Sequence, residues 1–552
     1  MPRPLLSLLF IAVLTFFLGL GRQAITDSDE AFYAEAAREM VETGDWLTPH
    51  FNYEDRWQKP VLYYWLTAAT YLVTGPMELA ARLWSALSGL GLVLLVWRAA
   101  ERITNRSDAA WLAGAIAATC IGYCAMARVA LPDLPLTFFI TFGIWAALER
   151  RWALAGAAAG FGFLMKGPVA LVIPGLVLLP IWLRERTFRT LGIRNLGIAV
   201  LVFAVVGLPW YVAMWMAHGT AYLQSFFVAD NFERFATDRF NEPRAFWFYL
   251  PIILGGMVPW SAYLVALPVR SLRAVLTGAR RLTDDEWRLV LWAAVPLIFY
   301  TISIGKQPRY ILPVLPPLAI LLARSITARI ESAIASGSDS AVASGFSRKG
   351  LSDLRIATWI TAALYLVLAI LLMRARLLFI TAHPLFTWLA VAGIAAAAFA
   401  LAWLAMTARW ERLPTFMTSA AVVLLLGSQF GALAGRRPEP VEQMALLVQR
   451  HRTANEPVGT CEVFVRNLLF YTRFKQLELF DDGRVLEFMK SPERVLLVVG
   501  RTDLQRLEAM SGVKMRLLGA VQYLNTANIR LRTLLSPMPA QDLETVFLVT
   551  NH

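Results

Sequence analysis

Long apolar segments recur along the whole chain and constrain its fold more than any other feature. Hydrophobic residues make up 57% of the 552 residues and charged residues only 16%, whereas soluble domains carry about 25% charged residues. A helix needs about 20 apolar residues to cross a bilayer. Inside the bilayer its backbone must also satisfy its own hydrogen bonds. The chain is therefore predicted to be a polytopic α-helical membrane protein.

The apolar segments predict about 13 transmembrane helices within residues 1–434. The first covers residues 4–20, and the lack of a good small-x-small cleavage site after it favours an uncleaved helix over a signal peptide. The other spans are predicted near residues 79–97, 109–127, 134–149, 153–165, 168–183, 197–217, 247–268, 289–304, 310–324, 356–373, 386–406 and 415–434. Residues 61–73 are too few to span reliably and are interpreted as an amphipathic helix lying on the membrane.

Arginine-rich loops alternate with less basic ones and predict the orientation. The basic set comprises loops near 98–106, 150–151, 184–194, 270–288, 348–355 and 409–412. The positive-inside bias assigns this set, and with it the N-terminus, to the cytoplasm. The formal net charge of +13 is explained by this topology and does not indicate a nucleic-acid partner. The opposite set, including the large loops 22–75 and 218–246, is predicted to face the outer compartment.

Residues 435–552 lose the long apolar runs and alternate short strand-like and helical stretches. Strands are predicted at 458–463, 476–480, 494–499 and 514–520, and helices at 441–451, 465–473 and 503–510. This alternation favours a small α/β domain, which the predicted topology places in the outer compartment. A structural or partner-related role is expected for it.

Charged residues in the outer loops are not explained by topology. Asp29 follows the first helix, and the others are Lys59, Arg128, Asp133, Lys166, Lys306 and Arg309, the last beside Tyr310. Any single Lys or Arg at a helix end can simply snorkel, and Asp133 could cap its helix. Together, however, cations on the outer face with one or two acids suit the phosphate group of an amphiphile. A carboxylate beside that phosphate suits group transfer, because it can accept a proton from the acceptor or orient it. The cations would stabilise the departing phosphate.

Several sequence blocks carry a resemblance to a known family. They are DEAFYAEAAREMVETGDWLTPHF followed by QKPVLYYW, then LMKGPVALVIP, NFERF, YLPIILGGMVPW and GKQPRYILPVLPPLA. These blocks resemble the lipid A 4-amino-4-deoxy-L-arabinose transferases, which are GT-C-class glycosyltransferases, over roughly residues 1–320. The resemblance implies transfer of aminoarabinose from undecaprenyl phosphate to lipid A phosphates at the periplasmic side of the inner membrane. It further implies resistance to polymyxin and cationic antimicrobial peptides.

The same resemblance assigns roles to individual residues. It implies that Asp29 is the catalytic acid and that Lys59 contacts a substrate phosphate. Tyr33, one helical turn after Asp29, is expected to line the site. Further phosphate or sugar contacts are expected from Arg128, Asp133, Lys166, Lys306, Arg309 and Tyr310.

One position departs from the family pattern. Gln58 precedes Lys59 where the family often has Glu, so any metal or sugar-amine contact made by that Glu is in doubt here. His218 and Glu233 lie in the same outer loop system, but without fixed spacing they are weak evidence for a metal. No metal ligand is assigned and no cofactor is required, although a bound divalent metal would be compatible with the sequence.

Two other functions are compatible with parts of this sequence pattern. Another polyprenyl-phosphate-dependent glycosyltransferase, such as a protein O-mannosyltransferase, would share the lipid donor and the outer-loop acids. A lipid transporter predicts polar or broken helices near the middle of the bilayer, whereas the charges here cluster at outer helix ends.

Overall fold

Helices dominate the computed structural model, which describes residues 3–26, 28–186, 192–237, 243–267, 275, 277–278, 280–337, 345–453 and 455–552. Residues 238–242 of the predicted outer loop, and parts of the basic loops 184–194 and 270–288, lie outside these ranges. The α-helices up to residue 434 that are longer than five residues are Arg3–Ala12, Ser28–Thr43, Leu62–Thr74, Glu78–Thr104, Ser107–Thr119, Ile121–Ala127, Asp133–Leu148, Trp152–Lys166, Val169–Arg184, Ile193–Gly207, Pro209–Leu223, Tyr249–Gly256, Ser261–Ala266, Asp284–Ile302, Leu315–Gly337, Gly345–Ala375, Pro384–Thr407 and Leu413–Ser428. Wider π-type turns extend three of these helices at Val13–Phe17, Gln224–Glu233 and Gln429–Leu433, and a 3₁₀ segment, Pro308–Val314, leads into another.

Five helices in the described residues are long and apolar enough to cross a membrane, or seven if two bent pairs each count as one span. The predicted spans 109–127 and 197–217 are these bent pairs, with breaks of 55° and 47°. Four further apolar helices are shorter than a full span: Pro4–Phe17, Asp133–Leu148, Trp152–Lys166 and Val169–Arg184. The fold is therefore a multi-pass helical bundle, as predicted. The described residues thus support five to seven spans by length and composition, and the count of 13 stays a prediction.

The first outer loop folds into two helices joined by a small hairpin. Helix Ser28–Thr43 packs against helix Leu62–Thr74, and strands β1 (His50–Phe51) and β2 (Glu54–Asp55) pair between them. The hairpin turn is fixed by Glu39, whose carboxylate accepts from the backbone N–H of Asn52 at 2.7 Å and of Tyr53 at 2.9 Å. Both turn residues have positive φ, so these bonds stabilise a turn that non-glycine residues rarely adopt. The loop is therefore an ordered support for Asp29 and Lys59.

A buried ion pair ties this loop to the bundle. Arg82, in helix Glu78–Thr104, donates to both carboxylate oxygens of Glu30 at 2.6 and 2.9 Å. The same guanidinium bonds to the carbonyls of Leu20, Gln23 and Ala24, just after the first helix. Carbonyls beyond a helix end lack intrahelical partners. Arg82 donates the missing hydrogen bonds and so fixes the path of the chain after the first helix.

The C-terminal region contains a five-stranded mixed sheet with helices. Its strands are β3 (Val458–Cys461), β4 (Leu477–Leu479), β5 (Leu496–Gly500), β6 (Arg516–Tyr523) and β7 (Glu544–Thr550), in the order β4-β3-β5-β7-β6. The parallel pairs are β3 with β4 and with β5, and β7 is antiparallel to β5 and β6. Helices Pro440–His451, Asn467–Thr472, Asp482–Met489, Arg501–Ser511, Leu531–Leu535 and Pro539–Asp542 accompany them.

The sequence predicted four of these strands and three of the helices within a few residues. It missed strand β7, which lies between β5 and β6 and completes the sheet. It also missed the helices Asp482–Met489, Leu531–Leu535 and Pro539–Asp542. Two hydrophobic clusters pack around the sheet, and both draw on its strands. This is the strand and helix content expected of a small α/β unit.

This sheet region contacts the loop that carries Asp29. The Asn52 and Gln476 pair exchange two hydrogen bonds of 2.8 and 2.9 Å between side chain and backbone. The Tyr471 hydroxyl accepts from the Ile25 N–H at 2.8 Å, and the Asn467 amide donates to the Thr26 carbonyl. The C-terminal region is therefore fixed directly against the first outer loop.

Candidate functional site

A cavity of about 350 Å³ lies where the ends of several helices meet. Its charged lining comprises Lys59, Asp133, Lys166, Asp230, Arg234 and Arg309. Its apolar lining includes Leu136, Val169, Val172, Phe226, Phe227, Phe232, Phe235, Phe299 and Pro313. Four cations thus face two carboxylates, and one wall is built from hydrocarbon and aromatic rings. The cavity can therefore hold a molecule with an anionic head and an apolar body.

Asp133 connects two of the cations. It begins helix Asp133–Leu148, its side chain is 4% exposed, and its carboxylate accepts from the Lys166 ammonium. The guanidinium Nε of Arg309 lies 3.4 Å from the other Asp133 oxygen. The Lys166 ammonium also lies 4.6 Å from the centre of the Tyr310 ring. These contacts confirm that the turns holding Asp133, Lys166 and Arg309 converge at one place.

Asp230 anchors the opposite group of charges. Its side chain is 4% exposed, with one oxygen 3.0 Å from Arg234 and 3.9 Å from the Lys59 ammonium. The sequence reading missed Asp230, although it named the loop around it. The spacing Asp230–Arg234 was an available signal, because residues four apart lie on one face of a helix.

Asp29 contacts the cavity through Arg309. The two side chains form an ion pair, and Arg309 thereby bridges Asp29 and Asp133. Asp29 remains 42% exposed, so an incoming molecule can reach it. Burial would raise the pKa of Asp29, but Arg309, with weaker effects from Arg466 and Arg56, holds that pKa below its usual value. Asp29 is consequently ionised at neutral pH and already oriented.

The surroundings of Lys59 disfavour its charged form, whereas those of Asp29 favour its charged form. Burial, opposed by Asp230 and reinforced by Arg234, Lys166 and Arg56, lowers the pKa of Lys59 to about 7. At 3.9 Å, Asp230 is a loose partner for this ammonium. An anion entering the cavity would stabilise the protonated form of Lys59.

Tyr33 and Lys306 lie beside the cavity rather than among its lining residues. Tyr33 is 5% exposed and packs against Tyr63 and Tyr64, with ring centroids 5.4 and 5.3 Å away. Burial raises the pKa of its hydroxyl well above the usual value. Lys306 donates to the Arg244 carbonyl at 3.4 Å. In this structure both therefore contact residues around the cavity and do not line it.

Arg128 lies elsewhere. It donates to the carbonyls of Thr15, Phe16 and Leu18 at 2.9–3.3 Å and to the Gln429 side chain at 3.1 Å. These are carbonyls at the end of the first helix, which lack intrahelical partners. These bonds favour a structural role for Arg128, and its expected phosphate contact stays a prediction.

Gly305 allows two walls of the cavity to touch. A Cβ at this position would lie 2.1 Å from the Arg234 carbonyl oxygen, which is far too close. The neighbouring Ile304 N–H donates to the Phe235 carbonyl at 2.9 Å. The turn that carries Arg309 is therefore joined through backbone to the segment that carries Asp230 and Arg234.

No group of three or more His, Cys, Asp or Glu side chains suited to a metal occurs in the part of the chain that the structure describes. His218, considered above as a weak metal candidate, instead shares a 2.8 Å hydrogen bond with Thr48.

Comparison with known proteins agrees with this architecture. The family described as dolichyl-phosphate-mannose-protein mannosyltransferase matches residues 6–217. An undecaprenyl phosphate-alpha-4-amino-4-deoxy-L-arabinose arabinosyl transferase of Pseudomonas fluorescens is 34% identical over 337 residues, covering 59% of this chain and 60% of the relative. The transferase of this name from Pseudomonas aeruginosa is 34% identical over 348 residues, covering 60% and 61%. The chain thus matches about three fifths of the length of these relatives.

A solved structure extends the likeness over the full length. The crystal structure of ArnT from Cupriavidus metallidurans bound to undecaprenyl phosphate superposes with a TM-score of 0.71. It covers 99% of this chain and 98% of the other at 22% identity, which establishes the fold. The chain therefore shares the fold of ArnT, including the C-terminal region, and its resemblance to the aminoarabinose transferases is confirmed.

Proposed function

We propose that this protein is an integral-membrane glycosyltransferase that moves 4-amino-4-deoxy-L-arabinose from undecaprenyl phosphate to phosphate groups of lipid A. The observation that carries this proposal is the cavity with four cations, two acids and an apolar wall, with Asp29 held at its edge by Arg309. The names of the curated relatives supply the sugar and the lipid carrier.

The donor fits the cavity by charge and by hydrophobicity. Lys59, Lys166, Arg234 and Arg309 surround the position for its phosphate, and two acids leave an excess of positive charge. The aromatic and aliphatic wall would contact the first isoprene units of the carrier. Burial of apolar area contributes about 25 cal/mol per Å², so the wall adds affinity without specificity for the sugar.

Transfer then requires one bond to form and one to break. An oxygen of the acceptor phosphate attacks the anomeric carbon of the sugar, and the bond from that carbon to the carrier phosphate oxygen breaks. The electron pair leaves with undecaprenyl phosphate, whose added charge the surrounding cations stabilise. Asp29 orients the acceptor and accepts its proton where the phosphate still carries one.

The low pKa of Asp29 favours a phosphate acceptor over a hydroxyl acceptor. A phosphate is already largely ionised at neutral pH and needs no strong base. An alcohol acceptor, as in protein O-mannosylation, would gain more from a base whose pKa lies near the working pH. Protein O-mannosyltransfer remains the alternative function because its family matches residues 6–217, and a lipid transporter ranks below it.

The topology of the proposed enzyme follows from its loops. We propose 13 membrane crossings in a catalytic domain of residues 1–434, an N-terminus in the cytoplasm, and a C-terminal domain of residues 435–552 in the periplasm of a bacterium. Loops 22–75 and 218–246 would then face the periplasm with the cavity. Reporter fusions after residues 106, 282 and 552 test this: the first two should report cytoplasm and the third periplasm.

The function is tested with purified protein in detergent, given undecaprenyl-phosphate aminoarabinose and lipid A. We expect lipid A to gain the mass of one or two aminoarabinose units, and a complemented deletion strain to gain polymyxin resistance. Transfer without compartments excludes pure transport. No transfer to lipid A, with transfer of another polyprenyl-linked sugar to protein, would favour the alternative. We further propose that no metal is required, so activity should survive EDTA.

A further inference from the structure

Two guanidinium groups that do not line the cavity, those of Arg56 and Arg466, lie beside Asp29. Arg56, in the hairpin loop, lies 3.6 Å from the centre of the Phe32 ring, and Arg466, in the C-terminal region, lies 4.2 Å from the same centre. Phe32 is three residues after Asp29 on helix Ser28–Thr43, so the two share one helix face. Two cations from distant parts of the chain therefore converge next to the candidate catalytic acid.

These cations have spare hydrogen-bonding capacity. Each guanidinium offers five N–H groups. Arg56 uses one toward the Tyr64 hydroxyl at 3.2 Å, and the buried Nε of Arg466 has no hydrogen-bond partner among the described residues. Within the described ranges, neither guanidinium has a carboxylate at ion-pair distance. Both side chains are half-buried, so solvent only partly relieves their mutual repulsion.

The surrounding charges do not neutralise the pair. Asp29 is attracted to both arginines, but its ion pair is with Arg309. Glu478 also lies within electrostatic range of both, although it bonds to neither. Arg56 also acts on Lys59 through space, which places the arginine pair close to the donor cavity.

Another arginine in this fold, Arg452, also stacks on an aromatic ring and serves for comparison. Arg452 lies 3.8 Å from the centre of the Phe474 ring, and its Nε donates to the Glu456 carbonyl at 2.9 Å. The Nε–H of this stacked arginine is thus satisfied by a backbone carbonyl. In the Phe32 cluster, the Nε of Arg466 lacks such a partner.

We propose that Arg56 and Arg466 bind the acceptor's phosphate monoester, so that Asp29 lies between an acceptor phosphate at Phe32 and a donor phosphate in the cavity. This rests on the proposed function for the identity of the acceptor. Two forked guanidiniums can bind the phosphate oxygens with paired, charge-assisted hydrogen bonds. The C-terminal region is therefore part of the substrate site, and not only a support for the membrane bundle.

The test measures binding of three probes to purified full-length protein: lipid A, lipid A with its phosphates removed, and undecaprenyl phosphate. Arg466→Ala and Arg56→Ala should each weaken lipid A binding about tenfold or more, since a charged hydrogen bond is lost. Binding of undecaprenyl phosphate should change less than about twofold, because the cavity cations remain. Lys59→Ala should show the reverse pattern. Arg466→Lys should be intermediate, since it keeps the charge and loses the fork.

Arg452→Ala is the matched control and should bind both lipids as the wild type does. Thermal unfolding in detergent separates loss of binding from loss of fold, and Arg466→Lys carries the test if an alanine variant fails to fold. Inorganic phosphate should compete with lipid A in the wild type and lose that ability in Arg466→Ala.

Three outcomes would overturn the inference: unchanged lipid A binding in both arginine variants, equal losses for the two lipids, or equally tight binding of dephosphorylated lipid A. Arginine-dependent lipid A binding in a protein that transfers no sugar would support this site and contradict the proposed function instead.

Discussion

Asp29 and Glu30 are adjacent in sequence, yet their carboxylates lie in two differently built ion networks. Glu30 is 2% exposed and Arg82 is 3% exposed. Glu30 also accepts from the Ala130 N–H at 2.8 Å. Arg82 donates to both Glu30 oxygens and to three backbone carbonyls. Asp29 is 42% exposed and shares Arg309 with Asp133.

The difference separates a structural network from a binding network. In the Glu30 network the chain supplies partners on both sides, which is what a buried charge needs to persist. In the Asp29 network cations outnumber carboxylates and Lys59 lies 3.9 Å from Asp230. A bound anionic ligand can accept hydrogen bonds from these excess cations. The same types of residue therefore build the fold in one case and the proposed substrate site in the other.

Asp29→Asn tests the binding network with the largest expected effect. We expect kcat to fall about 10²- to 10⁴-fold, the range for loss of a positioned acid or base. The partly exposed side chain keeps its size, so the melting temperature should be nearly unchanged. Glu42→Gln is the control, because Glu42 is a 49% exposed acid on the same helix, paired with Arg38. Full activity in Asp29→Asn would remove Asp29 from the mechanism.

Arg82→Ala tests the structural network. It leaves Glu30 buried without its cation and three carbonyls without a donor, so we expect a loss of about 3–5 kcal/mol of stability. Arg98→Ala, on the same helix, removes a 44% exposed arginine from a surface pair and should cost at most about 1 kcal/mol. Thermal unfolding in detergent compares the two. A stable but inactive Arg82→Ala protein would mean that the two networks are not separate.

Lys59→Arg sharpens the comparison through pH. With a pKa of about 7 in the unliganded protein, Lys59 loses its charge as pH rises through neutrality. With that pKa the charged fraction falls from about 0.9 at pH 6 to about 0.1 at pH 8, so the KM for the donor should rise about tenfold over this range. An arginine stays protonated, so the variant should show a flatter profile. Identical profiles would assign the titration to another group.

Arg128→Ala should have the smallest effect on turnover. Its bonds go to backbone at the end of the first helix, so we expect about 1–3 kcal/mol of lost stability from unsatisfied carbonyls. The KM for either lipid should stay within about twofold of wild type. A selective rise in the KM for one lipid would return Arg128 to the substrate site.

The sequence predicted the charged turns well because each is short and flanked by apolar helices. Asp133, Lys166 and Arg309 could be found this way, and topology alone indicated that they share one face of the bundle. Arg128 has the same pattern, but its partners are backbone carbonyls of a distant helix. No local pattern distinguishes a guanidinium that binds carbonyls from one that binds phosphate.

Other parts of the site depend on contacts far apart in the chain. Arg466 reaches Phe32 only after the C-terminal sheet has folded against the first outer loop, so no spacing rule could reveal it. Arg82 was detectable, since an arginine within an apolar helix signals a buried partner. Strand β7 was missed, although its sequence ETVFLVT is rich in β-branched and aromatic residues.

The close backbone contact at Gly305 bears on how a lipid enters. Because the turn with Arg309 touches the segment with Asp230 and Arg234 without intervening side chains, these two walls should move as one rigid unit. A ligand that fills the cavity would then enter between other lining segments than these two, because parting them would break the 2.9 Å hydrogen bond from Ile304 to Phe235.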